Sequence, residues 1–159
     1  MVTNVHQLHA TPRLDHTQGF FQCINAPIDP QLVAEFYSAK AAFFTELPRE
    51  HKAAVKRTKS NSKGWFDDEL TKQKLDWKEG FDIGAQDGSL DLSGLDGANQ
   101  WPDESAVGAD SIVGFQSTVK EYYAACEAFA RSLTCAMTAG LGMPSEILVE
   151  KHFDASVHS

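Results

Sequence analysis

The sequence contains no hydrophobic run long enough to cross a membrane. A membrane-spanning helix needs about 20 mostly apolar residues, and no stretch of these 159 residues approaches that length. The first 18 residues also lack the apolar segment that a signal peptide carries between a basic start and a small-residue cleavage site. The sequence alone therefore predicts a cytoplasmic protein without a membrane partner.

Cysteine is scarce and its spacing fits no known pairing motif. The chain has three cysteines, Cys23, Cys126 and Cys135, and none forms a CxxC pair. An odd number leaves one thiol unpaired in any disulfide scheme. Cys126 and Cys135 fall on roughly opposite faces of a helix. We therefore expect three small buried thiols in a reducing compartment.

Common catalytic motifs are also missing. The sequence has no GxSxG, no Walker motif, no GxGxxG after a strand and no HExxH. One possible ligand set is His152, Asp154 and His158, because two histidines and a carboxylate can hold non-haem iron. A helix-end histidine with a capping aspartate explains these residues better, since a short tail cannot build the walled cavity that iron needs.

Charge is unevenly distributed along the chain. The net charge of −8 disfavours nucleic acid as a partner, because an acidic chain repels phosphate. Residues 48–63 contain six basic residues and one acid, whereas residues 66–110 contain twelve acids and three lysines. The pattern favours a basic helix face followed by a solvated acidic loop. A basic patch for an anionic ligand is the alternative.

Amphipathic helices dominate what the sequence does contain. Asp29 is a suitable N-cap and Pro30 suits the first position of a helix that Pro48 ends. Pro48 can begin a second helix that runs to about Lys56. The strongest helix spans about 111–139, where apolar residues recur every three or four positions and Gly140 and Gly142 follow. A short helix is predicted from Pro144 to about residue 153.

Strand signals are few. Residues 19–25 form a short apolar run, and in residues 75–79 Leu75, Trp77 and Glu79 alternate with Asp76 and Lys78, so each segment predicts a strand. Residues 84–110 hold five of the eleven glycines and predict a long loop. Two or three strands without partners make a poor sheet. The chain is therefore expected to be one α+β, helix-rich domain that forms part of something larger.

Several short motifs together resemble the opening of the isopenicillin N synthase-like 2-oxoglutarate/Fe(II) dioxygenases. The resemblance covers about residues 19–154. It is carried by Gly19-Phe20-Phe21-Gln22-Cys23-Ile24-Asn25, Phe43-Phe44, Leu47-Pro48-Arg49-Glu50-His51-Lys52, Gly64-Trp65, Asp76-Trp77-Lys78-Glu79-Gly80-Phe81, Asn99-Gln100-Trp101-Pro102, Tyr122-Tyr123 and Gly140-Leu141-Gly142. The turn after the first motif departs from the family, because Asn25-Ala26-Pro27 stands where members have NHG.

The resemblance implies an N-terminal helical region whose few strands would join a double-stranded β-helix (jelly roll). Most of that jelly roll is absent from this chain. The implied divisions are a loose arm over 1–18, a non-haem dioxygenase N-terminal domain over 19–154 and the start of the jelly roll over 155–159. The missing jelly-roll domain is the implied partner, and a small organic molecule is the implied substrate for hydroxylation, desaturation or ring closure.

Fe(II) and, as in most of the family, 2-oxoglutarate are the implied cofactor and co-substrate. Their ligands lie on downstream jelly-roll strands in family members, so no catalytic, cofactor-binding or metal residue is carried over to this chain. Lys63 and Trp65, in the Gly64-Trp65 motif, are the candidate substrate contacts. Trp65 could pack on an apolar substrate, and Lys63 could pair with a carboxylate.

Two alternatives remain open at this point. The chain could be a non-catalytic helical interaction module from a truncated or spliced dioxygenase gene, binding another protein through its open apolar face. It could also be a small metal protein that uses His152, Asp154 and His158. The main prediction is that the chain supplies scaffold and part of the substrate mouth, and is inactive alone.

Overall fold

Two prolines lie at the beginnings of the first two helices in the computed structural model, which describes residues 23–71, 74–84, 97–106 and 108–151. Helix α1 spans Pro30–Thr45, and helix α2 spans Arg49–Ala54, directly after Pro48. Proline suits a first helical turn because its missing N–H would have no partner there. Both predicted helices are confirmed, although α2 ends before Lys56.

The long predicted helix is confirmed as α3, Phe115–Gly140, but it begins later than expected. A 3-10 helix over Asp110–Ile112 precedes it, and Gly114 separates the two with a φ of 83°. The Glu104 carboxylate accepts hydrogen bonds from the backbone N–H groups of Gly114 and Gln116 at 2.8 and 2.7 Å. Glu104 therefore caps the start of α3 from an earlier loop.

Gly142 ends α3, whereas Gly140 remains helical. Gly142 has a φ of 75°, its N–H donates to the Ala139 carbonyl, and the Met143 N–H donates to the Thr138 carbonyl. This Schellman arrangement satisfies carbonyls that a helix end leaves unpaired. The short last helix is confirmed as α4, Ile147–Val149, and its predicted end at residue 153 lies outside the described residues.

No helix within the described ranges is both long and apolar enough to span a bilayer. Helix α3 has 26 residues, but charged side chains interrupt its apolar positions.

Within the described ranges, four short strands form two antiparallel pairs. Strand β1, Gly64–Phe66, pairs with β4, Gly80–Asp82, and Trp65 lies opposite Phe81. Strand β2, Leu70–Thr71, pairs with β3, Lys74–Leu75.

Both strand predictions need correction. Residues 76–79 form no strand, because the chain bends at Trp77, which is fully exposed, before β4 begins. Leu75 lies in β3, whereas the alternation of 76–79 reflects a charged bend and not a pleated strand. Residues 23–25 are also not in a strand, and residues 19–22 of that prediction lie outside the described part of the chain.

The chain divides into two units, 31–120 and 1–30 with 121–159. The first has a core that draws on α1, the turn after α2, β1 and the start of α3: Ala42, Phe43, Leu47, Val55, Trp65, Ala109, Ile112, Phe115 and Val119. In the described part of the second, Thr138 and Val149 are buried.

The three cysteines are free, but the prediction that they are buried is wrong. Cys23 is exposed, and Cys126 and Cys135 are partly exposed. The Cys135 thiol donates to Glu146 Oε2 at 3.4 Å. The apolar positions of α3 lose their burial towards the C-terminal end, where Met137 is exposed.

Candidate functional site

The two predicted substrate contacts lie at the beginning of β1. Lys63 directly precedes the strand and Trp65 is its central residue. Trp65 is only 1% exposed, and its Nε1 donates to Glu79 Oε2 at 2.7 Å. Its backbone N–H donates to the Val55 carbonyl at 2.9 Å. The structure places the indole in the core of its unit, and its contact with a substrate stays a prediction.

Gly64 allows this close packing between β1 and the end of α2. Its φ is 111°, and a Cβ atom at this position would lie 2.2 Å from the Val55 carbonyl oxygen. An L side chain cannot adopt both that conformation and that approach without backbone movement. The glycine of the Gly64-Trp65 motif therefore has a structural requirement.

A buried ammonium group connects three elements beside Trp65. Lys52, on α2, is 7% exposed. Its Nζ donates to the Phe44 carbonyl at the end of α1 and to both carboxylate oxygens of Glu79, at 3.0 to 3.2 Å. Because Glu79 also accepts from Trp65, the carboxylate links Lys52 to β1. Removing either charged partner would leave the other without compensation.

The basic segment after Pro48 pairs with the acidic residues that follow β1. Arg49 and Lys56 both bind Asp67, and Lys56 also binds Asp68. Arg57 pairs with Glu69 at 3.4 Å and with the Asp82 carboxylate at 3.5 Å. The predicted acidic loop therefore begins with residues that pair with the basic segment, and these pairs compensate the charge of Arg49, Lys56 and Arg57.

Basic side chains of this segment also lie over the aromatic rings of Trp65 and Phe66 in β1. Arg49, Lys52 and Lys56 each lie 5.2 to 5.8 Å from the centre of the Trp65 ring. The Arg57 guanidinium lies 3.8 Å from the centre of the Phe66 ring. Such cation–π contacts add to the ion pairs in holding α2 against β1.

The ion pairs shift the titration of their members. The hydrogen bond from Lys56, and then that from Arg49, holds the pKa of Asp67 below its ordinary value, against the opposing effect of burial. Hydrogen bonds to Asp67 and Asp68 raise the pKa of Lys56. The Lys78 hydrogen bond lowers the pKa of Glu69.

We expect Asp67 to make the stability of this unit depend on acid pH. A carboxyl whose folded pKa is depressed stabilises the fold above its unfolded pKa, and this contribution is lost as the pH falls through the folded value. The wild-type chain should therefore lose unfolding free energy below the ordinary aspartate pKa of 3.8. Asp67→Asn should lose less over that range. Urea unfolding at stepwise lower pH measures the loss in the wild-type chain and in the variant. Equal losses would show that Asp67 is not the source of the pH dependence.

The Lys63 side chain lies against Gly84, at the far end of the β1–β4 pair. A Cβ atom at Gly84 would lie 2.8 Å from Lys63 Cε and 3.1 Å from its Nζ. The Asn99 side chain holds Gly84 through two hydrogen bonds, at 2.8 and 3.0 Å. Lys63 and Trp65 are close in sequence, but Lys63 lies against Gly84 at the end of the β1–β4 pair, whereas Trp65 lies in the core.

Sequence reasoning did not identify the residues that build this site. Glu79, Asn99 and Gln100 belonged to motifs used for the resemblance, yet no role followed from them. Their partners lie 14 to 44 residues away in sequence, so local pattern carried no signal. The only signal in the sequence was that all three residues fall within motifs of the family resemblance.

The described residues do not fit a metal ion. They contain no group of three or more histidine, cysteine, aspartate or glutamate side chains that could hold one. His152, Asp154 and His158 lie outside the described part of the chain, so the metal-protein alternative stays a prediction.

Comparison with known proteins gives one family. The sequence model described as "non-haem dioxygenase in morphine synthesis N-terminal" matches residues 15–104, more than half of the chain. This match includes helices α1 and α2 and all four strands around Lys63 and Trp65.

Curated fungal proteins are similar over most of the chain. A 2-oxoglutarate-dependent dioxygenase, htyE of Aspergillus rugulosus, is 27% identical over 151 residues, which cover 84% of this chain and 42% of htyE. The proline hydroxylase buaE of Petromyces alliaceus is 29% identical over 136 residues, which cover 79% of this chain and 39% of buaE. The chain thus spans about two fifths of the length of these relatives.

Solved structures agree with this similarity. A full-length Neurospora crassa protein, crystallised in complex with alpha-KG, is 26% identical with a TM-score of 0.64, over 83% of this chain and 40% of that one. The complex of the same fungal protein with alpha-KG and 5-formyluracil gives 27% identity and a TM-score of 0.61, over 78% of this chain and 35% of that one.

Proposed function

Because the chain belongs to the family of non-haem dioxygenase N-terminal regions, we propose that it supplies the N-terminal part of a 2-oxoglutarate- and Fe(II)-dependent oxygenase. The match of residues 15–104 to that family carries the proposal. The names of the relatives htyE and buaE, which are dioxygenases or hydroxylases, support the reaction class. The substrate would be a small organic molecule that is hydroxylated, desaturated or cyclised.

In this proposal the chain contributes scaffold and part of the substrate mouth. Iron and 2-oxoglutarate would supply the oxidising chemistry when bound to the rest of the polypeptide. Lys63 and Trp65 would contribute to the mouth in different ways. Lys63 would contact the substrate, and Trp65, held by Glu79, would fix the strand beside it.

The proposed partner is a catalytic jelly-roll domain. Large apolar side chains remain exposed at the end of α3 and into α4, which is unusual unless a partner covers them. They are Met137, Leu141, Met143 and Ile147. The same exposure favours the second candidate, a non-catalytic module that binds another protein. The domain boundaries and the cytoplasmic location also remain predictions.

Succinate formation tests the proposal. The coding sequence should be read beyond residue 159, and the 159-residue chain and the longest polypeptide that includes it should be incubated with Fe(II), ascorbate and 2-oxoglutarate. We expect the longer polypeptide to release succinate and the 159-residue chain to release none. Turnover by the short chain would overturn the scaffold role. A stop codon after residue 159 would favour the interaction module.

A further inference from the structure

Trp77 is the most exposed large apolar side chain in the described part of the chain. It is fully exposed at the bend that precedes β4. The other two tryptophans are packed, since Trp65 is buried in the core and Trp101 lies against Phe115. An indole buries about 150–250 Å² when it is covered, so leaving it in water forgoes a large stabilising contribution. The exposure of Trp77 therefore needs a reason outside its own unit.

The residues on both sides of Trp77 are held in place. The Asp76 N–H donates to the Glu69 carbonyl at 2.8 Å, and Lys78 Nζ lies 2.6 Å from Glu69 Oε2. The next residue, Glu79, accepts the indole hydrogen bond that ties it to β1 at 2.7 Å. The backbone that carries the exposed ring is therefore ordered before any partner binds. A partner then has little more to fix than the two side-chain torsions of a tryptophan.

The surroundings of Trp77 disfavour three kinds of partner. A small-molecule site needs concave walls, and a fully exposed ring provides none. Membrane surfaces and nucleic acids favour clustered basic residues. Here Asp76 and Glu69 lie beside the ring, and Lys78 is paired with Glu69. The remaining class is a protein surface with an apolar pocket, and tryptophan is enriched among the dominant contacts of such interfaces.

The length of the relatives favours one protein partner. This chain covers 42% of htyE and 39% of buaE, so more than half of each relative lies outside the matched region. A domain joined to the same polypeptide is present at an effective concentration on the order of millimolar. At such a concentration, one well-packed aromatic side chain can hold two surfaces together.

We propose that Trp77 is the anchor through which unit 31–120 binds the polypeptide that follows residue 159. The indole would insert into an apolar pocket of that polypeptide, with Asp76 and Lys78 at the polar rim. Met137 and the other exposed side chains of α3 and α4 belong to the other unit, so different units would make the two contacts. The inference rests on the proposed function, because it names a contact with the partner domain proposed there.

Hydroxyl-radical footprinting measures the exposure of each tryptophan separately. The 159-residue chain and the longest polypeptide that includes it are oxidised under the same conditions, and mass spectrometry gives the oxidation rate of each tryptophan. In the 159-residue chain, we expect Trp77 to react fastest and Trp65 slowest. In the longer polypeptide, the rate of Trp77 should fall close to that of Trp65, because the ring would be covered.

Trp77→Ala tests whether the contact stabilises the longer polypeptide. It should leave the urea midpoint of the 159-residue chain unchanged, since an exposed ring adds little stability there, and it should lower the midpoint of the longer polypeptide. Tyr37→Ala is the matched control, because Tyr37 is also an exposed aromatic residue of unit 31–120. It should shift the midpoints of both chains equally.

Rapid oxidation of Trp77 in the longer polypeptide would overturn the inference. So would slow oxidation in the 159-residue chain, whether or not dilution removes the protection, and so would a Trp77→Ala variant that shifts both midpoints equally. Succinate formation by a longer polypeptide in which Trp77 stays reactive would overturn this inference alone. Protection of Trp77 without succinate formation would overturn the proposed function alone, so the two failures are distinguishable.

Discussion

Replacing Phe43 with alanine is expected to lower the free energy of unfolding by about 3–5 kcal/mol, the range for buried aromatic-to-alanine changes. Phe43 is fully buried on α1. Its ring stacks on Phe115 with centres 4.9 Å apart, lies 4.9 Å from Phe81 and meets Phe44 edge-on at 5.0 Å. The change would remove contacts to α3 and β4 together and leave a cavity.

Urea unfolding, monitored by tryptophan fluorescence, measures this effect in the unit 31–120. All three tryptophans, Trp65, Trp77 and Trp101, belong to the unit 31–120 that contains Phe43. Tyr37→Ala is the matched control, because Tyr37 lies on the same helix and is 55% exposed. Its effect should be far smaller. Equal shifts in the two variants would show that the core is not centred on Phe43.

The helices were predictable because their signals are local. Apolar residues at helical spacing, Pro30 at a start and Gly142 at an end specify α1 and α3 within short windows. The start of α3 was misplaced because its cap comes from Glu104, more than ten residues before Phe115. A side chain that caps from a distance leaves no mark in the periodicity of the helix itself.

The strands and the site were less predictable because their interactions are not local. Strands β1 and β4 have three residues each, too few for alternation to be recognised. Lys52 pairs with Glu79 across 27 residues, and Gln100 reaches Lys63 across 37. Lys63 and Gly64-Trp65 were identified through a family motif, whereas the Gln100 amide that binds Lys63 required coordinates.

Lys52→Met is expected to destabilise the same unit by about 2–3 kcal/mol. Breaking a buried ion pair by removing one partner costs roughly 3–5 kcal/mol. Glu79 remains 31% exposed, so water can hydrate its carboxylate and the cost should fall near or below the lower limit of that range. Methionine keeps the apolar stem of lysine, so the lost stability measures the contribution of the ammonium group.

Two further variants decide whether the buried charge is the cause. Lys78→Met breaks the pair with Glu69, in which the side chains are 55% and 33% exposed, and it should have little effect because water screens that pair. Lys52→Met combined with Glu79→Gln should recover part of the lost stability, since the unpaired carboxylate is gone while an amide oxygen can still accept from Trp65. If the double variant is as unstable as the sum of both single changes, Lys52 and Glu79 act independently and the proposed link between α1, α2 and β1 does not exist.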